Sequence, residues 1–206
     1  MSHMTSGPST ETMVREAVLR RLLNGEPVDP GSLGVTANLP VGTVVEALAR
    51  LNAAGAIHLS NGTVTAAYPP SAAPTHHRIL HGGTIAYACC AIDALAVPSM
   101  VEEAATVESR CAYCDQAITV EMRSDRILSS YPETLVVFYV DRDCCDPGPA
   151  ALVRCPHINF FCGSDHAGRW RAAHPGMTGD TLTLDQAVTR AREIFGPVIS
   201  LLCKPG

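Results

Sequence analysis

The residues in this sequence best suited to chemistry are its thiols, and they are unevenly placed. Nine cysteines stand among 206 residues; none precedes Cys89, eight fall from Cys89 to Cys162, and the last is Cys203. Cys90-Ala91-Ile92-Asp93 sets a thiol and a carboxylate at i and i+3, which on a helix share one face. A soft metal ligand would then stand beside a proton carrier. Arg154-Cys155-Pro156-His157-Ile158-Asn159-Phe160-Phe161 places a second cysteine at the start of a short apolar strand, with a guanidinium next door to favour the thiolate. Cys111-x-x-Cys114 and the adjacent Cys144-Cys145 pair could supply a four-thiolate metal site from Cys111, Cys114, Cys144 and Cys145, although adjacent cysteines match the usual second half of such a site poorly. Each motif alone also fits plain packing. A cysteine in a buried helix is commonly a small hydrophobe, Cys155 and Cys162 could fill the ends of one strand, and His157 could be a satisfied core histidine. His76, His77 and His81 read as solvated.

Positioning such groups takes a core, and 47% hydrophobic residues supply one. Aromatics are only 5%, with a single Trp, so Ala, Val, Leu and Ile must build it. The formal charge of −5 argues against a broad nucleic-acid footprint, which wants a basic patch. No apolar run approaches the roughly 18–20 residues of a membrane span, and no charged-then-apolar leader opens the chain. The expectation is a cytoplasmic protein without membrane or nucleic-acid partners, whose odd cysteine count signals thiols rather than a disulfide framework. Met1-Ser2-His3-Met4 reads as a cloning remnant, and residues 1–12 as a disordered tail.

The periodicity predicts a helix over 13–23 with Val14, Ala17, Val18 and Leu22 inward. A short helix from Pro30 with Leu33 and Val35 inward follows. A third starts with Pro40 at its first position, with a stripe of Val44, Val45, Leu48 and Leu51. Ile57-His58-Leu59, Asn61-Gly62 and residues 64–68 read as a hairpin with a type I′ turn. Three helices and a hairpin make a winged-helix-like module over 13–68, and 69–78 reads as a linker. The only cation on the third helix is Arg50, beside Glu46, which is thin for phosphate contact and favours a support role. Beyond it, 87–97 predicts a buried helix, 105–111, 117–122, 134–140 and 157–161 predict strands, and 142–149 a loop. Residues 186–195 predict a helix, resumed at 198–203 after a break at Gly196-Pro197. The fold class is α+β: the helical N-terminal module packed on a C-terminal mixed β-sheet domain with helices, over 79–206.

Cys90-Ala91-Ile92-Asp93-Ala94-Leu95, then Cys155-x-His157-Ile158-x-Phe160-Phe161, then an Asp/Trp stretch resemble the organomercurial (alkylmercury) lyases. Gly25-Glu26-Pro27-Val28, Leu39-Pro40, Val107-Glu108-Ser109-Arg110-Cys111 and the stretch from His166 to Trp170 find counterparts in the same order, so the resemblance runs from about Val14 to about Leu201. It implies that Cys90 and Cys155 are the catalytic cysteines and Asp93 the catalytic aspartate, the three holding Hg, while Cys111 is a buried structural cysteine. It also implies protonolytic cleavage of carbon–mercury bonds to a hydrocarbon and Hg(II), serving mercury detoxification without an organic cofactor. Organomercurial small molecules would be the substrates. External thiols would release the bound Hg(II), with mercuric reductase or low-molecular-weight thiols as acceptors. Mercury's softness agrees, since such metals prefer thiolate ligands. The sequence departs from the family at Cys89, where Trp is frequent, and in the additional Cys114, Cys144 and Cys145. Those cysteines leave an alternative: a non-catalytic protein on the same scaffold that binds or senses zinc, copper or mercury.

Overall fold

The computed structural model describes residues 8–143 and 145–203, so the Met1-Ser2-His3-Met4 remnant lies outside the described residues. Helix α1 (Thr10–Leu23) begins within the stretch expected to be disordered, because Ser9 caps it and accepts the Thr12 amide at 3.2 Å. Asp29 caps α2 (Pro30–Ala37) by accepting the Ser32 amide, Pro30 occupies its first turn, and Asn38 ends it in the left-handed conformation. Val35 is 85% exposed, since two residues past the buried Leu33 is the opposite face of a helix. On α3 (Val41–Ala53), capped by Pro40, the buried stripe is Val44, Ala47, Leu48 and Leu51; Val45 lies beside it and is half exposed.

The hairpin β1 (His58–Ser60) and β2 (Thr63–Ala66) turns through Asn61 and Gly62, both at positive φ as a type I′ turn requires. It does not end the sheet. Pro70–Ser71 forms β3, inside the stretch expected to be a linker, and pairs with both β2 and β5. With β4 (Arg78–His81), β5 (Thr84–Ala88), β6 (Ala104–Arg110), β7 (Ala117–Arg123) and β8 (Arg126–Tyr131), it completes an eight-stranded antiparallel sheet ordered β1-β2-β3-β5-β4-β6-β7-β8. The predicted helix over 87–97 is therefore shorter. Its first residues end β5, and α4 (Ala91–Ala96) runs on into a 3-10 turn, Val97–Met100.

A second sheet has β9 (Val136–Val140) at its centre, flanked by β10 (Asn159–Phe161) and β11 (Gly179–Thr183). Between β9 and β10 lie a short helix α5 (Ala150–Val153) and a 3-10 turn, Cys155–His157. Helix α6 (Ser164–Ala173) lays Trp170 against Phe138 and Phe161. Helix α7 (Leu184–Leu202) is opened by a capping box between Thr183 and Gln186 and packs along α4. It passes unbroken through Pro197, where a break was expected. Burial of Phe195, Val198 and Leu202 on both sides of the proline outweighs its lost hydrogen bond and ring clash, together about 3 kcal/mol. Among the described residues no single helix is long and apolar enough to cross a membrane.

Two glycines test this packing in opposite directions. A Cβ at Gly179, where φ is +156°, would collide with the Tyr139 carbonyl oxygen across the β9–β11 ladder, whereas Gly168 faces open space within α6. Urea unfolding should show Gly179→Ala losing on the order of 2–3 kcal/mol. Gly168→Ala should gain about 0.5–1 kcal/mol through helix propensity.

Candidate active site

Where β5 ends, the chain turns through Cys89 into Cys90, whose extended backbone (φ −156°, ψ 178°) makes it the N-cap of α4. Its sulfur takes the capping place that Ser or Asp usually fills and accepts the Asp93 amide at 3.4 Å. The i, i+3 spacing thus joins thiol and carboxylate through a cap rather than through a helical face. Cys155 comes from the other sheet, on the 3-10 turn ahead of β10 and not within the strand itself. A hydrogen bond of 3.1 Å from the Ala91 amide to the Ile158 carbonyl fastens the two segments together.

The Cys155 thiol donates to Asp93 Oδ2 at 3.7 Å, and the ligand atoms of Cys90, Asp93 and Cys155 lie within 4.8 Å of one another. All three side chains are buried. Desolvation pushes the Asp93 carboxyl up to about 7, against the pull of hydrogen bonds from the Cys90 and Cys155 thiols and the charge of Arg154. Burial likewise pushes the Cys90 thiol well above its ordinary value, with Cys155 and Asp93 adding to the rise. Cys89 is raised in the same way, chiefly by burial and then by Asp93. The Cys89 and Cys90 thiols therefore hold their protons at neutral pH, beside one carboxyl poised to exchange its own.

Tyr68, which sequence reasoning passed over, stands close enough for the charges of Cys155, Cys89 and Asp93 to act on it. Its hydroxyl accepts the Ala151 amide at 3.1 Å, tying α5 to the end of the hairpin. Tyr68 and Arg154 also line an open cleft of about 760 Å³ bounded by α5 and the 142–149 loop. The one available signal was the rarity of aromatics, with five tyrosines in the chain.

The other expected thiol group assembles differently. Cys111 and Cys114 gather with Cys162 and His166, not with Cys145, whose thiol donates to the Asp141 carbonyl at 3.9 Å; Cys144 lies outside the described residues. Cys162 and His166 are four apart, a helical-turn spacing that could have drawn notice. Burial works to raise the Cys111 thiol, but amides of Cys114, Cys162 and Tyr113 and the His166 ring bring it down to about 6. Burial and the neighbouring Cys111 and Cys114 push Cys162 up to about 12. Two histidines expected in solvent are buried instead: His77 Nδ1 bonds Ser109 Oγ at 2.9 Å, and His81 Nε2 bonds the Leu23 carbonyl at 2.9 Å.

Two buried thiols and a carboxyl set between two sheets are a donor set suited to a soft metal. The alkylmercury lyase family model matches residues 71–196, and the chain belongs to that family. It is 27% identical to the alkylmercury lyase of Bacillus cereus over 175 residues, covering 85% of this chain and 77% of the relative. To that of Staphylococcus epidermidis it is 28% identical over 193 residues, covering 90% and 86%. The crystal structure of the mercury-bound form of MerB2 superposes over 95% of this chain and 92% of that one, with a TM-score of 0.77 at 25% identity.

The raised Asp93 carboxyl has a consequence for stability. The folded chain keeps this proton up to about pH 7, whereas an unfolded aspartate releases it near 3.8. Across that window the folded state binds the extra proton, so stability falls as pH rises, by up to about 1.4 kcal/mol per pH unit, and levels off above. Denaturant unfolding of the wild type and Asp93→Asn from pH 4 to 8 should show the difference between them changing with this slope, because buried His77, held down to about 4 by desolvation, adds an opposite slope to both alike. Parallel curves would rule it out.

Proposed function

We propose that this chain cleaves carbon–mercury bonds by protonolysis, with Cys90 and Cys155 taking the metal and Asp93 carrying the proton. The observation that supports this most is the convergence of those three side chains, from segments 62 residues apart in sequence, with the Cys155 thiol donating to Asp93. One thiol displaces the anion accompanying R–Hg⁺ and loses its proton with it. The second thiol gives its proton to the Asp93 carboxylate and binds mercury as thiolate. Asp93 then returns the proton to carbon as the Hg–C electron pair leaves with it, yielding R–H and a two-thiolate Hg(II) complex. Two soft donors on the metal favour that departure. A carboxyl poised near neutrality suits both halves of the transfer, because the ideal shuttle titrates close to working pH.

The approach route we assign is the cleft lined by Tyr68 and Arg154, the arginine whose charge acts on Asp93. Organomercurial small molecules are the substrates. Low-molecular-weight thiols or a mercuric reductase withdraw the Hg(II), and the reaction belongs in a cytoplasmic setting where such thiols are abundant. The alternative, a non-catalytic metal-binding or sensing protein, is disfavoured by membership of the lyase family. Nucleic-acid binding by the N-terminal helices has little behind it, as Arg50 is paired with Glu11 and Glu46.

Release of benzene from phenylmercury in excess thiol tests the proposal. Cys155→Ala should release none. Asp93→Asn should still bind Hg(II) while turning over on the order of 10²–10⁴-fold more slowly. The wild-type rate should show an inflection near pH 7 that Asp93→Asn lacks. Wild-type turnover in Asp93→Asn would place the proton elsewhere, and loss of mercury binding would make Asp93 a ligand first.

A further inference from the structure

Beyond the far end of β10, a second group of donors comes together from three segments. Cys111 and Cys114 belong to the turn between β6 and β7, Cys162 follows β10, and His166 lies in the first turn of α6. All four ligand atoms fall within 4.8 Å of one another. Cys114 Sγ and Cys162 Sγ are 3.8 Å apart, and Cys111 Sγ and His166 Nδ1 are 3.5 Å apart. A tetrahedral zinc ion, with Zn–S near 2.3 Å and Zn–N near 2.0–2.1 Å, has S···S edges of about 3.8 Å and S···N edges of about 3.5 Å. A disulfide would instead bring two sulfurs to about 2.05 Å.

The surroundings fit a metal as well as the spacing does. His166 turns Nδ1 toward Cys111, leaving Nε2 on the side of the exposed Asp165 carboxylate, 3.8 Å away and beyond hydrogen-bond distance. The Tyr113 ring lies against His166 at 5.2 Å between centroids and holds it in place. Three thiols and an imidazole at tetrahedral spacing suit Zn(II), whereas Hg(II) favours two thiolates in line. Four protein donors leave no open position, which marks a structural rather than a catalytic centre.

We propose that Cys111, Cys114, Cys162 and His166 bind one zinc ion that clamps the β6–β7 turn and α6 to the end of β10. The Ala112 amide already donates to the Phe160 carbonyl at 3.1 Å beside this group, so the ion would close a junction the backbone has begun. It would also anchor the far end of the strand that follows the Cys155 turn. This site stands apart from the lyase reading and does not depend on it.

The test is metal content of the full chain produced in zinc-supplemented medium and purified without chelator. Wild type and Cys90→Ser/Cys155→Ser should each hold about one zinc ion per chain. His166→Ala and Cys114→Ser, which alter partly exposed and exposed side chains, should hold far less while keeping wild-type circular dichroism. Cobalt(II) reconstitution of the wild type should give intense tetrahedral d–d bands with thiolate-to-cobalt charge transfer, and His166→Ala should shift the d–d bands. A zinc-free wild type that also gives no tetrahedral cobalt spectrum overturns the site. So does zinc retained by Cys114→Ser and lost from Cys90→Ser/Cys155→Ser, which would place the ion on the buried pair. A Cys114–Cys162 disulfide found by mass spectrometry in freshly purified protein would overturn it too.

Discussion

The two sheets have separate hydrogen-bond ladders, and among the described residues two backbone amides fasten the segments next to them together. Strand β10 is an edge strand paired only with β9, and its outer side receives the Ala91 amide at Ile158 and the Ala112 amide at Phe160. Carbonyls two residues apart on an extended chain point the same way, so the two bonds form a short substitute for a ladder. Each joining amide follows a cysteine: Cys90 precedes Ala91 and Cys111 precedes Ala112. The strand is flanked in turn by Cys155 and Cys162. Both thiol groups thus form where one sheet is fastened to the other, one at each end of the same three-residue strand.

At the first of these junctions the chain accepts a cost. Asp93 is buried among thiols, which are weak donors, and its formal counter-charge sits at one remove. Arg154 spends its guanidinium on the Tyr139 hydroxyl at 3.2 Å and the Val140 carbonyl at 3.4 Å. A direct ion pair would stabilise the fold but would also hold the carboxylate ionised and unwilling to return a proton. Destabilised groups of this kind are retained where chemistry needs them.

Much of this was legible in the sequence because local rules governed it. Proline starts and apolar stripes placed the first three helices, and Asn61-Gly62 placed the hairpin. The convergence of Cys90, Asp93 and Cys155 could be expected only from two distant motifs taken together, since neither motif alone points to the other. What escaped notice lacked a periodic signal. Strand β3 is two residues long and has no alternation to display. Strand β8 is mostly exposed and polar, as an outer edge must be to discourage pairing with other chains. Pro197 breaks a helix by local rules, yet burial on either side overrules them. His77 and His81 carry polar rings that sequence assigns to solvent, and single long-range hydrogen bonds bring them inside. The partnership of Cys111 and Cys114 with Cys162 and His166 likewise depends on contacts across some fifty residues.

Trp170, the lone tryptophan, gives the molecule a built-in optical reporter. The ring stacks on His174 at 4.2 Å and touches Phe138 and Phe161, so its emission senses the second sheet and the strand between the thiol groups. No Phe, Tyr or Trp precedes Tyr68, which leaves the first three helices dark. Far-ultraviolet dichroism, by contrast, draws heavily on those helices. A gap between the two signals during unfolding therefore measures how tightly the helical N-terminus is bound to the thiol-bearing core.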